Sequence, residues 1–259
     1  KPFDISIFRD SKPFSLGIDH YSKSLFPPYP ATIYSALRTA IMAENNVNID
    51  DFYNNRLSDI LKTEIGAPDA LGALKIIGCF FKKENLFFSA PFDLIKLDEE
   101  KHGKNKFDFL KLEKDDFTRN SSGFEYILNF NPDTAGRVNG YLSLENLKKY
   151  LLQDNNLIPE GMVNDSDIFQ RDKRFGIGIS NATNSVEEGL LYISEVIYLN
   201  ENWSMIVFAE NCSMLKKNGV LNLGADSRAF AYSKNNDDLQ KSFDDKFREN
   251  LKTKIKETK

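Results

Sequence analysis

The sequence of 259 residues is short of the groups that carry most hydrolytic chemistry: it has two histidines, two cysteines and one tryptophan. Nucleophilic catalysis of the triad type needs a histidine beside an activated nucleophile, oriented by an acid, and only His20 and His102 are available. His102 lies in Glu100-Lys101-His102-Gly103-Lys104, a lysine-rich stretch that reads as a solvated loop. His20 follows Asp19 and can pair with it, although an ordinary loop histidine is the favoured reading. Cys79 and Cys212 are too few and too far apart for a disulfide framework, so a reducing, cytoplasmic compartment is the simplest expectation. No His or Cys pair has structural zinc spacing, and Asp115-Asp116, Glu187-Glu188 and Asp244-Asp245 read as solvated faces. Neither a metal nor an organic cofactor is expected. No apolar run approaches the roughly 18 residues that span a bilayer, and no secretory signal opens the chain, so no membrane partner is expected. There is no G-x-x-x-x-G-K-[ST] loop. Phe175-Gly176-Ile177-Gly178-Ile179 lacks the third glycine of a dinucleotide fingerprint and reads instead as a strand that another backbone approaches closely.

What is present describes a folded protein. The chain is 41% hydrophobic and 12% aromatic, with 21 phenylalanines, and this excludes a disordered polymer. The length suits one large domain or two small ones. A net charge of −4 argues against wholesale coating of nucleic acid but leaves room for a local basic groove.

Residues 2–8 alternate apolar and polar, as a strand with one buried face does. The strand starts almost at the first residue, with no initiator Met, so the natural N-terminus is expected slightly upstream. Phe26-Pro27-Pro28-Tyr29-Pro30 forces an extended path. A helix follows over 31–42, with Ile33, Ala36, Leu37, Ala40 and Ile41 on one face and Thr32 as N-cap. Tyr34 and Arg38 are four apart on another face and should sit side by side near the surface. A second helix is predicted over 50–63, with Leu57, Ile60 and Leu61 inward. Ala73–Phe81 and Asn85–Leu97 read as strands joined through Lys82-Lys83-Glu84. Residues 98–124 read as a surface insertion. Tyr141–Leu152 reads as a helix with Leu144, Leu147, Tyr150 and Leu151 inward. Leu190–Leu199 and Trp203–Ala209 read as a hairpin, Val220–Arg228 as a strand entering a glycine turn, and the stretch from Leu239 to Ile255 as an amphipathic helix. Hairpins interleaved with helices predict an α+β fold rather than a doubly wound sheet.

The remaining chemistry is spread over turns beside strands: Arg9, Tyr34, Arg38, Arg171, Arg174, Asn181, Thr183 and Arg228. Guanidinium forks grip phosphate and stack on bases, and glycine turns expose backbone N–H groups. Such a set suits single-stranded RNA if it converges into one electropositive cradle. Each arginine taken alone is more often a salt-bridged surface residue.

Three ordered blocks carry a resemblance to a known family. The first is Arg9-Asp10 with Pro13-Phe14, followed by Phe26-Pro27-Pro28-Tyr29-Pro30-Ala31-Thr32-Ile33-Tyr34-Ser35-Ala36-Leu37-Arg38-Thr39. The second runs from Arg174-Phe175-Gly176-Ile177-Gly178-Ile179 through Asn181-Ala182-Thr183 to Glu188-Gly189-Leu190-Leu191-Tyr192, and the third is Leu223-Gly224-Ala225-Asp226-Ser227-Arg228-Ala229. Together they resemble the third subunit of type III-B CRISPR Cmr effector complexes, a family of RAMP (repeat-associated mysterious) proteins. Ser35 stands where that family is expected to carry Gly, and Ala225-Asp226 where Gly-Glu is expected. The resemblance implies two ferredoxin-like (RRM-related) units with antiparallel sheets, divided as residues 1–160 and 161–259. The family continues with further strands after the last helix, so a C-terminal segment beyond Lys259 is expected and the second unit is expected to be incomplete. It also implies a non-catalytic scaffold that grips the 5′ repeat-derived tag of the crRNA and bridges the large polymerase-like subunit to the backbone subunits. The RNA-binding positions carried over are Arg9, Thr32, Tyr34, Arg38, Arg174, Asn181, Thr183, Gly224 and Arg228. The alternative is a RAMP-fold endoribonuclease processing crRNA, with His20 beside Asp19 as its acid–base group.

Overall fold

The computed structural model describes residues 1–10, 12, 20–114, 126–129, 133–180, 182–183, 185–235 and 242–257. In chain order these form β1 (Tyr21–Ser22), α1 (Pro30–Glu44), α2 (Ile49–Tyr53), α3 (Asp59–Ile65), β2 (Lys75–Lys82), β3 (Leu86–Ser89), β4 (Leu94–Leu97), α4 (Glu99–His102), β5 (Phe107–Phe109), β6 (Lys111–Lys114) and β7 (Tyr126–Asn129). There follow β8 (Thr134–Arg137), β9 (Tyr141–Ser143), α5 (Leu144–Leu151), β10 (Met162–Val163), α6 (Asp165–Ile168), β11 (Phe169–Ile179), β12 (Val186–Leu199), β13 (Ser204–Glu210), β14 (Asn218–Asn222), β15 (Ala229–Ser233) and α7 (Asp245–Glu257). The fold is α+β: β9 pairs antiparallel with β10 and β3, β11 with β12, β14 with β15, β4 with β5 and β8, and β6 with β7, while β1 runs parallel to β12. No helix among the described residues is long and apolar enough to cross a membrane.

Two compact units share the chain, each built from two stretches: residues 1–81 with 168–237, and residues 82–167 with 238–259. The sequence reading divides the chain once, near residue 160. In the first unit α1 is the central helix. Ile33, Ala36, Leu37, Ala40, Ile41 and Met42 are buried on its inner face. They pack with Phe8, Phe52, Leu61, Ile65, Leu74, Leu215, Leu223 and Phe230. Helix α1 begins at Pro30 rather than after Thr32, and its N-cap is Tyr29, with no side-chain cap. The reason is Pro30 itself: its fixed φ suits the first helical turn, where a missing N–H leaves nothing unpaired. Thr32 lies within that turn and donates its N–H to the Tyr29 carbonyl at 3.0 Å. The proline run ahead of the helix docks through Phe26, whose ring lies 5.6 Å from Phe8, 5.6 Å from Phe81 and 4.8 Å edge-on from Phe169.

The N-terminal residues do not form a regular strand. Ile5, Ser6, Ile7 and Phe8 are all buried, and the segment makes single bridges: Pro2 to Phe230, Ser6 to Ile197 and Arg9 to Ser24. A chain threaded between two neighbours buries both faces, so the alternation seen in the sequence does not translate into one wet face. The 50–63 region splits into α2 and α3. Leu61 is buried, but Ile60 is exposed, because Asn54 ends α2 and Ser58 restarts the helical phase. The hairpin expected between Leu190–Leu199 and Trp203–Ala209 does not form. β12 instead pairs along β11, with Phe169 opposite Leu199 and Ile177 opposite Leu191, while β13 lies beside β2. The turn at Asn200 therefore changes sheets.

The second unit carries β10-β9-β3, β5-β4-β8 and β6-β7. The run Asn85–Leu97 is two strands, broken at Pro91, which cannot donate to a ladder. Tyr141–Ser143 is a strand, and the helix starts only at Leu144, capped by the Ser143 hydroxyl, which accepts from the Asn146 N–H at 3.3 Å. The fully buried residue of α5 is Asn146, whose carboxamide closes on the backbone of Ile158 at 2.7 and 2.8 Å. Leu144, Leu147, Tyr150 and Leu151 are half-buried. In the last helix Phe247 is buried and Ile255 exposed; Leu239 lies outside the described residues.

A buried carboxylate fixes the edge of the first unit. Glu195, on β12, is 8% exposed. It accepts hydrogen bonds from Arg171 Nη1 at 2.6 Å, Tyr21 Oη at 3.0 Å and the Ser24 N–H at 3.2 Å. Arg171 Nη1 also donates to the Ser24 carbonyl at 2.7 Å. Arg171→Ala would strand this carboxylate. The expected loss is about 2–4 kcal/mol, below that of a fully buried pair because the Arg171 side chain is 34% exposed. Urea unfolding of the two proteins measures it, and a change under about 0.5 kcal/mol would contradict the assignment.

Candidate nucleic-acid interface

The residues carried over from the family resemblance fall into separate groups. The first gathers along the N-terminal segment. Ser24, held by Glu195, donates its hydroxyl to the Glu195 carbonyl at 2.7 Å and accepts from the Phe8 N–H at 3.1 Å. The Leu25 N–H then bonds the Phe8 carbonyl at 2.7 Å, and Arg9 bridges Ser24. Arg9 thus leaves this anchored segment at an exposed position. On the other side of the segment lies the glycine turn. The Ala225 N–H donates to the Ile7 carbonyl at 2.8 Å, and the Leu223 N–H to the Arg228 carbonyl at 2.9 Å. Gly224 has φ +89, and a Cβ built on it would lie 2.4 Å from the Ile7 oxygen. Only glycine meets both conditions. Its first role is therefore to let the turn lie flat against the N-terminal segment.

Arg228 follows that turn. Its guanidinium stands 3.9 Å from Asp4 and 3.7 Å from Asp226, and its Nε is buried without a hydrogen-bond partner. Arg174 is exposed on β11, donating to the Tyr198 hydroxyl and lying over that ring at 6.0 Å. The Tyr198 hydrogen bond raises its pKa further above the ordinary arginine value, with Asp172 and Asp4 acting in the same direction. Tyr198 and Ala225 both pack on Ile5, Ile7 and Val196, so Arg174 and the Gly224 turn flank one apolar patch. This face is of mixed sign. Asp4, Asp172 and Asp226 stand among its arginines, and the single electropositive cradle expected from the sequence is not what the fold builds.

Tyr34 and Arg38 form a second group. The Arg38 guanidinium lies 5.6 Å over the Tyr34 ring and 5.0 Å over Phe52, and the Tyr34 hydroxyl donates to the Ile65 carbonyl at 3.3 Å. The two are side by side, as their spacing predicts, but their contacts are with α2 and α3. Thr183 bonds the Ser185 hydroxyl at 2.7 Å in the β11–β12 connection, and Asn181 lies outside the described residues. Gly176 and Gly178 are not sites of close backbone approach. Each makes room for a cross-strand side chain: a Cβ on Gly176 would meet the Tyr192 ring at 2.0 Å, and one on Gly178 would meet Leu190 at 2.7 Å. On the same ribbon Phe175, Ile177 and Ile179 are exposed. Their alternation with glycine was the available signal. Nothing in the sequence links Asp4 to Arg228 across more than two hundred residues.

As for catalytic groups, His20 is exposed and its carbonyl accepts from the Ile193 N–H at 2.6 Å; Asp19 lies outside the described residues. His102 is tied to Asp133, with Nε2 3.0 Å from Oδ2. No cluster of three metal-ligating side chains occurs among the described residues.

The α+β arrangement is shared with chains of two cryo-EM structures of the type III-B Cmr-beta complex, one bound to cognate target RNA and AMPPnP (state 1), the other bound to cognate target RNA. Each superposes with a TM-score of 0.52 at 16% identity and covers 92% of this chain. This chain spans 62% and 63% of those chains, so it corresponds to under two thirds of their length. The α+β fold is thus the fold of those chains. The family model for CRISPR-associated protein (Cas_Cmr3) matches residues 1–259, and the chain belongs to that family. No curated protein matches the chain.

Gly224→Ala is expected to lower stability by about 1–3 kcal/mol, since the turn must twist out of a left-handed conformation and away from Ile7. Thermal unfolding measures it, and an unchanged midpoint would contradict the turn's role.

Proposed function

We propose that this chain is a non-catalytic, crRNA-binding scaffold subunit of a type III-B Cmr effector complex. In this reading it grips the 5′ repeat-derived tag and bridges the large polymerase-like subunit to the backbone subunits. The observation that carries it is the family match over the whole chain. The face along the N-terminal segment supplies the means. Arg9, Arg174 and Arg228 lie around a turn whose backbone is pinned, and the Gly224 turn brings main chain to the surface beside them.

The mixed sign of this face shapes how it works. Loose ion pairs to exposed carboxylates, such as Arg228 with Asp4 and Asp226 at 3.9 and 3.7 Å, are worth about 0–1 kcal/mol, so a phosphate oxygen displaces them at little cost. The acidic neighbours keep the arginines extended until RNA arrives and suppress non-specific binding. The orphaned Nε of Arg228 gains from any shift that gives it an acceptor. Affinity of the isolated chain for RNA is expected to be weak and steeply salt-dependent. Tyr34 and Arg38, with Thr32 on the same helix, serve this reading as a second contact, to RNA or to a neighbouring subunit.

The test is retention and protection of the crRNA tag in complexes reconstituted with Arg228→Ala, Arg174→Ala or Arg38→Ala. Loss of tag protection by roughly tenfold in the first two is expected. Wild-type protection in both would remove the N-terminal face from the account.

A further inference from the structure

The second unit holds a cavity of about 290 Å³ that the scaffold reading does not use. One wall is the β4–β5 hairpin, closed by the Leu97 N–H donating to the Lys106 carbonyl at 2.9 Å. The other is the turn after α5. The Asp154 carboxylate accepts from the Asn156 N–H at 3.0 Å and its Nδ2 at 2.9 Å, and Lys149 Nζ donates to the Asn156 carbonyl at 3.1 Å. Both walls are therefore held in place before any ligand arrives.

The lining has three parts. Leu97, Phe107 and Leu157, all buried, make an apolar floor. Asn105, Asn155 and Asn156 bring carboxamides, and Lys106 and His102 bring cations or donors. No carboxylate lines the cavity, in a chain with 38 acidic residues. Among the described residues the Lys106 ammonium has no ion-pair partner, and the Asn155 carboxamide makes no hydrogen bond. His102 is oriented by Asp133 through Nε2, which leaves Nδ1 as its remaining polar atom.

The geometry points to a binding site for one ribonucleotide, free or within an RNA strand. Carboxamides offer the paired donor and acceptor that a base edge needs. The apolar floor of Leu97, Phe107 and Leu157 gives a base van der Waals contact away from water. Lys106 supplies the charge for a phosphate. The volume is at the small end of ligand pockets, which suits a single nucleotide rather than a longer segment. The site lies in the second unit and does not rest on the crRNA-tag reading.

Titration of the full chain with AMP, UMP, GMP and CMP, with inorganic phosphate, and with a short unstructured oligoribonucleotide tests it. Lys106→Glu and Asn155→Leu are the variants. Both positions are exposed, and unchanged thermal midpoints verify folding. Arg228→Ala controls for the other face. Binding of mononucleotides that weakens roughly tenfold or more in Lys106→Glu and Asn155→Leu, but not in Arg228→Ala, supports the site. The same pattern with the oligonucleotide alone also supports it and identifies a nucleotide of a strand as the occupant. Three results overturn it: no binding at millimolar concentrations, binding that neither variant weakens, or phosphate binding as tightly as every nucleotide. Loss in Arg228→Ala alone would count for the N-terminal face and against this pocket.

Discussion

A single buried carboxylate organises the edge of the first unit. Glu195 is costly to bury unless fully paired, and the chain surrounds it with Arg171, Tyr21 and the Ser24 backbone. Satisfying it forces residues 21–24 onto β12. Ser24, so placed, receives the Phe8 N–H and carries the N-terminal segment to its position. The Gly224 turn then seats on Ile7. Arg9, Gly224 and Arg228, far apart in sequence, become neighbours along one segment as a consequence.

The same logic separates an arginine spent inside the fold from arginines left at the surface. Arg171 looks like Arg174 in the sequence, three residues away on one strand. The fold spends Arg171 on Glu195, whereas Arg174 stays exposed against Tyr198. Arg38 is stacked on Tyr34 and Phe52. A guanidinium on an aromatic face is partly shielded yet keeps donors for a ligand or a neighbouring protein.

Much of the fold is legible in the residues. Helix α1 follows from its apolar spacing, and only its start is misplaced, because the prolines initiate the helix rather than precede it. The α+β class follows from the mixture of hairpins and helices. The sheet partners do not. β12 and β13 are adjacent in sequence and each is apolar, so a hairpin is the local expectation. Pairing of β12 back onto β11, through the connection at residues 180–185, wins instead, since that ribbon brings Tyr192 over Gly176 and Leu190 over Gly178. The candidate site is legible as a set of residue types, through the family resemblance, but not as a charge pattern. Asp4 and Asp226 reach Arg228 only after folding. The cavity beside Lys106 is assembled from two stretches some fifty residues apart, and no motif announces it.

The account turns on the N-terminal segment and the Gly224 turn forming the surface that meets crRNA. Ultraviolet cross-linking of a reconstituted complex, followed by peptide mapping of this subunit, tests that most directly. The account predicts cross-links from the tag nucleotides to peptides containing Arg9 and the turn from Leu223 to Arg228. Cross-links from the tag confined to peptides between Lys82 and Asp167 would contradict it.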